Sequence, residues 1–450
     1  MRTPRPAASE PITVVDLFSG CGGFTQGFHE FRPADAVDNV PVFRSIAAVE
    51  HNQAAAATYA ANFGELRPDE RLPSARVHVG DIEAWEPTAE AREAEVVVGG
   101  PPCQGFSALN RLKKGSERNR LWEEYVRVVA DIRPKVFVIE NVDRFLKSDE
   151  FANLLSEVAP GGRLADYQLV DPPGHVPTDS TEEKTKRYLL NSADYGAKQA
   201  RRRAIVIGVR RDVDNGRTMT YPVRTHVRRP RKTLSVPSQV LDGLDAGIQY
   251  WEAVDTIFTE SARREIRGTE LPDSKEFIPE VNSVLPGIFT TGDLHFRRNP
   301  EALSRARYRA IPEGGNRKDL RNKWYTVDET GRIRLFDTPN PPGVRTRVDY
   351  LSTESWDNHN TGTGDVMGRL RLGEPSVTIR TEFYKPEKGR YLHPRENRPI
   401  THFEAARIQG FPLDFRWCGT KTEIATQIGN AVPIPLGKAL AAAIHSFLRG

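Results

Sequence analysis

The sequence predicts an α/β protein carrying a second, smaller domain, and three observations lead there. Three short apolar runs, Ile12 to Val15, Val96 to Val98 and Val136 to Ile139, end in small or polar residues, as strands buried in a parallel sheet do. Helix-like segments lie between them: Arg44 to Asn62, which is Ala-rich, and Leu121 to Ile132, with apolar positions at helical spacing. After about residue 215 the chain changes character, to long polar stretches broken by Gly and Pro. At 450 residues it is long for one core, so a large domain plus a second of roughly 150 residues is expected.

Further elements complete this outline. Tyr188 to Asn191 and Ala204 to Val209 flank the turn-prone SADYGAKQARRR and predict a hairpin at the sheet's margin. Thr401 to Ile408 and Ala439 to Leu448 predict short helices, the last rejoining the first domain. Three cysteines (Cys21, Cys103 and Cys418) make no disulfide framework and no zinc spacing. With no apolar leader and no run of eighteen apolar residues, a soluble cytoplasmic protein is expected. The net charge of +4 decides little, but cations cluster locally. Val223 to Lys232 carries five Arg or Lys, and Arg297 to Lys323 nine against three acids, patches suited to a phosphate backbone or to ordinary solvated loops.

Candidate chemistry gathers where strands end, the edge at which α/β sheets bind ligands. After the first strand, FSGCGGF places Gly20, Gly22 and Gly23 before a helix start, allowing positive φ and close ligand approach. It lacks the G-x-G-x-x-G spacing and the Lys of a phosphate loop, which favours a smaller nucleoside-containing ligand, with Glu50 and Asp81 as hydrogen-bond acceptors. Cys103 follows the second apolar run in GGPPCQGFS, and VIENV places Glu140 at the same edge. A nucleophile, an acid and the cations Arg201 and Arg203 around one cleft suggest covalent chemistry. Taken singly, Cys103 also fits an inert buried thiol, Glu140 a helix cap or surface acid, and the arginines structural ion pairs.

With DLFSGCGGF, GDI, GGPPCQGFS, ENV, NSADYGAKQARRR and QIGNAVP in this order, and RPITHFEAARIQGFP before the last, the chain resembles the DNA (cytosine-5) methyltransferases of bacteria. The resemblance implies a doubly wound, S-adenosylmethionine-dependent methyltransferase fold with a smaller target-recognition domain. It divides the chain into a flexible terminus (1–10), a catalytic and cofactor-binding domain (11–215), a target-recognition domain (216–415) and a segment completing the catalytic domain (416–450). It implies Cys103 as nucleophile on C6 of a flipped cytosine, Glu140 at N3 and the 4-amino group, Arg203 as base and active-site contact, and Arg201 in support. For the cofactor it implies Phe18 near the adenine, Ser19, Gly20, Gly22 and Gly23 in the loop, and Glu50 on the ribose. Asp81 would lie near the adenine amino group and Asn430 at the methionine end, with Ile82, Pro101 and Val432 also lining the site. The expected product is S-adenosyl-L-homocysteine, and no metal is expected. Duplex DNA is the expected partner, with a restriction endonuclease encoded nearby; the protein would act as a monomer, in the cytoplasm and on the nucleoid. A tRNA methyltransferase and a non-catalytic DNA-binding protein on the same fold are the alternatives.

Overall fold

The apolar runs become the middle of a parallel sheet: β1 (Ile12–Leu17), β2 (Phe43–Glu50), β3 (Arg76–Val79), β4 (Val96–Gly99) and β5 (Val136–Asn141). The structure is a computed structural model that describes residues 10–34, 41–64, 74–102, 117–230, 247–358 and 364–450. Four more strands follow: β6 (Tyr167–Leu169), β7 (Leu189–Asn191), β8 (Gln199–Ala200) and β9 (Arg202–Arg210). The main sheet runs β3-β2-β1-β4-β5-β9-β6, with β7 also paired to β9. Strands β1 to β5 are mutually parallel, whereas β9 runs antiparallel to β5 and to β6. The strand order reverses between β1 and β4, and a crevice opens at such a switch point beyond the carboxyl ends of the strands.

Three local expectations need correction. Arg44 to Asn62 is not one helix, because Phe43 to Glu50 forms β2 and only Gln53–Phe63 (α2) is helical. FRSIAAVE is buried along almost its whole length between neighbours, so its alanines carry no periodic signal, while Asn52 caps α2 by accepting from the Ala55 amide at 3.0 Å. The hairpin exists, with Leu190 opposite Arg203, but β9 is interior rather than marginal. The third correction concerns the basic stretch Arg297 to Lys323, much of which is engaged internally. Arg307 donates to the Leu351 carbonyl (2.8 Å) and lies over Trp356, Arg309 donates to the Ile333 carbonyl (2.9 Å), and Lys323 pairs with Asp337 (2.8 Å). Within it, IPEGGNRKDL is a structural turn: Arg317 is buried and donates to the Trp356 carbonyl at 2.6 Å.

The chain's end returns to its beginning. The first helix, α1 (Gly23–Glu30), packs on the helix Ile434–Leu448, and both share the core of the main sheet. A Cβ on Gly23 would stand 2.8 Å from the Val432 carbonyl oxygen, so glycine there lets the terminal QIGNAVP segment touch the loop after β1. The segment Ser376–Val377 pairs in parallel with β8 in a separate two-stranded sheet, bringing the second half of the chain to the segment that leads into β9. Among the described residues, no single helix is long and apolar enough to cross a membrane.

Candidate active site

Beyond the carboxyl ends of β1, β2, β4 and β5 lies a cleft of about 770 Å³. It gathers Phe18, Ser19, Gly20, Gly23, Glu50, Asp81, Ile82, Pro101, Glu140, Arg201, Arg203, Asn430 and Val432. Gly22 stands apart: with φ 90° it opens α1 with its Cα toward the rings of Tyr59 and Phe63, where a side chain would not fit. Cys103 lies outside the described residues.

One end of the cleft is built from the glycine loop and the acids facing it. Phe18 and Gly20 both have φ 54°, a left-handed conformation that costs an ordinary residue roughly 1–2 kcal/mol and is tolerated here where Phe18 turns the chain off β1. The β2 terminus brings Glu50 beside this turn, where its carboxylate accepts from the Gly20 amide at 2.8 Å and the Asn52 amide at 2.7 Å. Burial raises the Glu50 pKa, partly opposed by these amides. Asp81 is exposed and accepts from the Glu83 amide at 3.0 Å, while Ile82 is buried beneath it. The space a Cβ on Gly20 would enter is open. A half-buried aromatic ring, two carboxylates with spare acceptor capacity and that open cradle suit a nucleoside joined to a small charged group.

A buried acid there escaped sequence reasoning. Asp16, 1% exposed at the end of β1, lines the cleft and accepts from the Thr25 hydroxyl at 2.9 Å, in a chain that continues to Tyr59 and Ser45. Burial pushes its carboxyl up to about 7, despite the Thr25 bond, with the Glu50 charge adding to the rise. The signal was an acid inside an apolar strand, ITVVDL, which read as the strand's polar end.

The opposite end holds the second acid. Glu140, near the carboxyl terminus of β5, pairs through Oε1 with the Arg203 Nε at 2.7 Å, and both side chains are largely buried. A Cβ on Gly100 would lie 3.1 Å from Glu140 Oε2, so the free carboxylate oxygen faces Gly100, three positions before Cys103 in the sequence. Asn141, also overlooked, donates its side-chain amide to the Pro101 carbonyl at 2.8 Å and ties the residues after β4 to β5.

The two arginines have different fates, although both line the cleft. The Arg203 Nε holds the Glu140 carboxylate at 2.7 Å, which favours a contact with the acid over a role as base. Arg201, 2% exposed, donates to the carbonyls of Ile379 (2.9 Å), Gly429 (2.9 Å) and Asn430 (3.4 Å). Burial lowers its pKa to about 9, and it therefore remains cationic near neutral pH. It ties β9 to the segments supplying Asn430. Arg201→Leu would leave these carbonyls without their donor at a cost of about 2–4 kcal/mol, read as a lower urea midpoint with unchanged slope. An unaltered midpoint would show that the clamp contributes nothing. Among the described residues no group of His, Cys, Asp and Glu is placed to hold a metal ion.

The comparisons with known proteins bear on this site. Residues 12–446 match the family model described as C-5 cytosine-specific DNA methylase. The chain is similar to the type II methyltransferase M.XorII of Xanthomonas oryzae pv. oryzae, 28% identical over 439 residues, covering 97% of this chain and 85% of that protein. It is also similar to the type II methyltransferase M.AgeI of Thalassovita gelatinovora, 26% identical, covering 96% of this chain and 99% of the relative. A solved prophage-encoded chain from E. coli shares the fold, with a TM-score of 0.56 at 20% identity, covering 98% of this chain and 100% of that one. The match spans the glycine loop, both strand-end acids and the terminal segment that closes on them, and the chain belongs to the C-5 cytosine-specific DNA methylases, enzymes that take their methyl group from S-adenosylmethionine.

Proposed function

We propose that this chain methylates C5 of one cytosine within a specific duplex sequence, after flipping that base out of the helix and attacking it through Cys103. The observation that carries the reading is Glu140: its free oxygen faces Gly100, three positions before Cys103 in the sequence, in the same cleft as the glycine loop. Residues 11–215 and 416–450 form the catalytic part in this reading, and 216–415 the target-recognition part. Two relatives whose names read type II methyltransferase support the role of modification enzyme in a restriction-modification system.

C5 of cytosine is a weak nucleophile while its electrons belong to the aromatic ring, so the ring must first be opened to reaction. Flipping costs a few kcal/mol of stacking and pairing, which contacts in the cleft offset. The Cys103 thiolate bonds to C6, and the ring electrons move toward C5 and N3. Glu140, held by Arg203 through one oxygen, uses the other to keep a proton at N3 and to accept from the 4-amino group as charge develops there. S-adenosylmethionine, when bound, supplies the electrophilic methyl group. Phe18, Glu50 and Asp81 would hold its nucleoside end, while Ser19, the glycines and Asn430 shape the other end, with Ile82, Pro101 and Val432 as walls. After transfer, water takes the C5 proton, the C5–C6 double bond re-forms, and Cys103 leaves as thiolate.

The deciding experiment offers labelled S-adenosylmethionine with duplex DNA or tRNA to the purified chain, then locates the product by bisulfite sequencing. Label entering duplex DNA at one cytosine in one sequence context is expected. Label entering tRNA alone would transfer the reading to RNA, and label in neither, despite cofactor binding, would leave a non-catalytic protein.

A further inference from the structure

A second groove, about 510 Å³, is lined by Ala200, the residue before Arg201 of the catalytic cleft. Its floor is the parallel pair of β8 with Ser376–Val377, and Ala200 on that floor directly precedes Arg201 and the Glu140 partner Arg203. One bank is Arg228, Arg229 and Trp251, which directly follow the two-stranded pair His226–Val227 with Gln249–Tyr250. The other carries Arg380.

The charges here are not balanced within the fold. The acids lining the groove, Asp365 and Glu374, each face a cation already: Arg390 at 3.0 Å and Arg371 at 3.9 Å. Arg228, Arg229 and Arg380 are exposed and have no acidic partner among the described residues. Two of the three are nevertheless oriented. The Arg228 guanidinium lies 5.7 Å from the Trp251 ring centre and that of Arg229 lies 5.2 Å from Tyr250. Stacking on a ring restrains a guanidinium while leaving its in-plane N–H edges free, which lowers the ordering cost of gripping an anion. Trp251 is itself anchored, donating its indole N–H to Asp194 at 2.9 Å, and Asp194 belongs to the turn between β7 and β9. The cations are thereby tied to the strand that carries Arg203.

We infer that this groove is a phosphate track, in which Arg228, Arg229 and Arg380 hold the backbone of the duplex beside the cytosine being modified. The inference rests on the duplex-DNA reading above and adds residues outside the chain's recurring motifs. A guanidinium meets a phosphate in a bidentate fork, fixing register without reading sequence, so these contacts would place the duplex while other residues choose the site. In the denser cationic stretch, by contrast, Arg307 and Arg309 donate to carbonyls of their own fold and Lys323 faces Asp337.

The test measures duplex affinity against salt in the presence of S-adenosyl-L-homocysteine, on a duplex carrying the sequence located by bisulfite sequencing and on an unrelated duplex, for the parent chain, for Arg228→Ala with Arg229→Ala, and for the matching double lysine variant. The alanine pair should weaken binding about 10- to 100-fold near 0.1 M salt and reduce the slope of log affinity against log salt by about 2, equally for cognate and unrelated duplexes. The lysine pair should restore most of the slope, since the charges remain. Homocysteine-cofactor affinity and melting midpoint serve as controls on folding, because both arginines are exposed. A parental slope in the alanine pair, or a loss confined to the cognate sequence, overturns the track. A parent chain that binds no duplex at low salt overturns the DNA reading itself.

Discussion

Cys103→Ala is expected to lower methyl transfer to duplex DNA by roughly 10⁴-fold or more, with duplex affinity within a few-fold of the parent's. Removing a covalent nucleophile withdraws the step that makes C5 reactive, and cofactor and base placed side by side cannot replace it. Binding survives because duplex contacts are spread over many phosphates and base edges. A duplex carrying 5-fluorocytosine sharpens the test. After methyl transfer C5 then has no proton to lose, so the Cys103–C6 bond persists and a complex resistant to detergent accumulates with the parent chain. The alanine variant should form none. Methyl transfer at the parental rate, or a covalent complex in the variant, would assign attack to another group.

Glu140→Gln is the second large effect expected, a fall of about 10²- to 10⁴-fold in the single-turnover methylation step. Gln preserves size and can still meet the 4-amino group, but its amide cannot share a proton with N3 as charge builds. It also removes the charge that holds Arg203 at 2.7 Å, so part of the loss would come from disorder in the guanidinium. Arg203→Lys separates these contributions: it keeps a cation but not the planar fork, and a milder loss is expected. Cofactor affinity should stay near the parental value, since Glu50 and the glycine loop lie at the other end of the cleft. Full single-turnover activity in Glu140→Gln would pass the N3 role to a different acid. Asp16 and Glu50 are further carboxyls in the cleft, held at the glycine-loop end by bonds to Thr25 and to the Gly20 amide.

Much of the site was legible along the chain because its signals are local. A strand ending in glycines, a strand ending in an acid and a proline-bound cysteine each declare themselves within about ten residues. What depended on distant neighbours was not. Arg201 and Arg203 are two residues apart and alike in sequence, yet one is clamped by the carbonyls of Ile379 and Gly429 while the other faces Glu140. The strand Phe43–Glu50 looked helical because burial on both faces erases the alternation that marks a half-exposed strand.

The sequence by itself determined the parallel sheet, the chemistry offered at its carboxyl edge and the family, because apolar runs, glycines and ordered motifs are properties of the chain read in order. Only the tertiary structure decided which of those groups meet. It set Glu50 against the Gly20 amide, made Arg203 the partner of Glu140, and left Arg228, Arg229 and Arg380 without acids around one groove while several cations of the denser stretch were turned onto carbonyls of their own fold. A charge or carboxylate acquires its role from what lies within a few ångströms of it, and those neighbours come from as far as the other end of the chain.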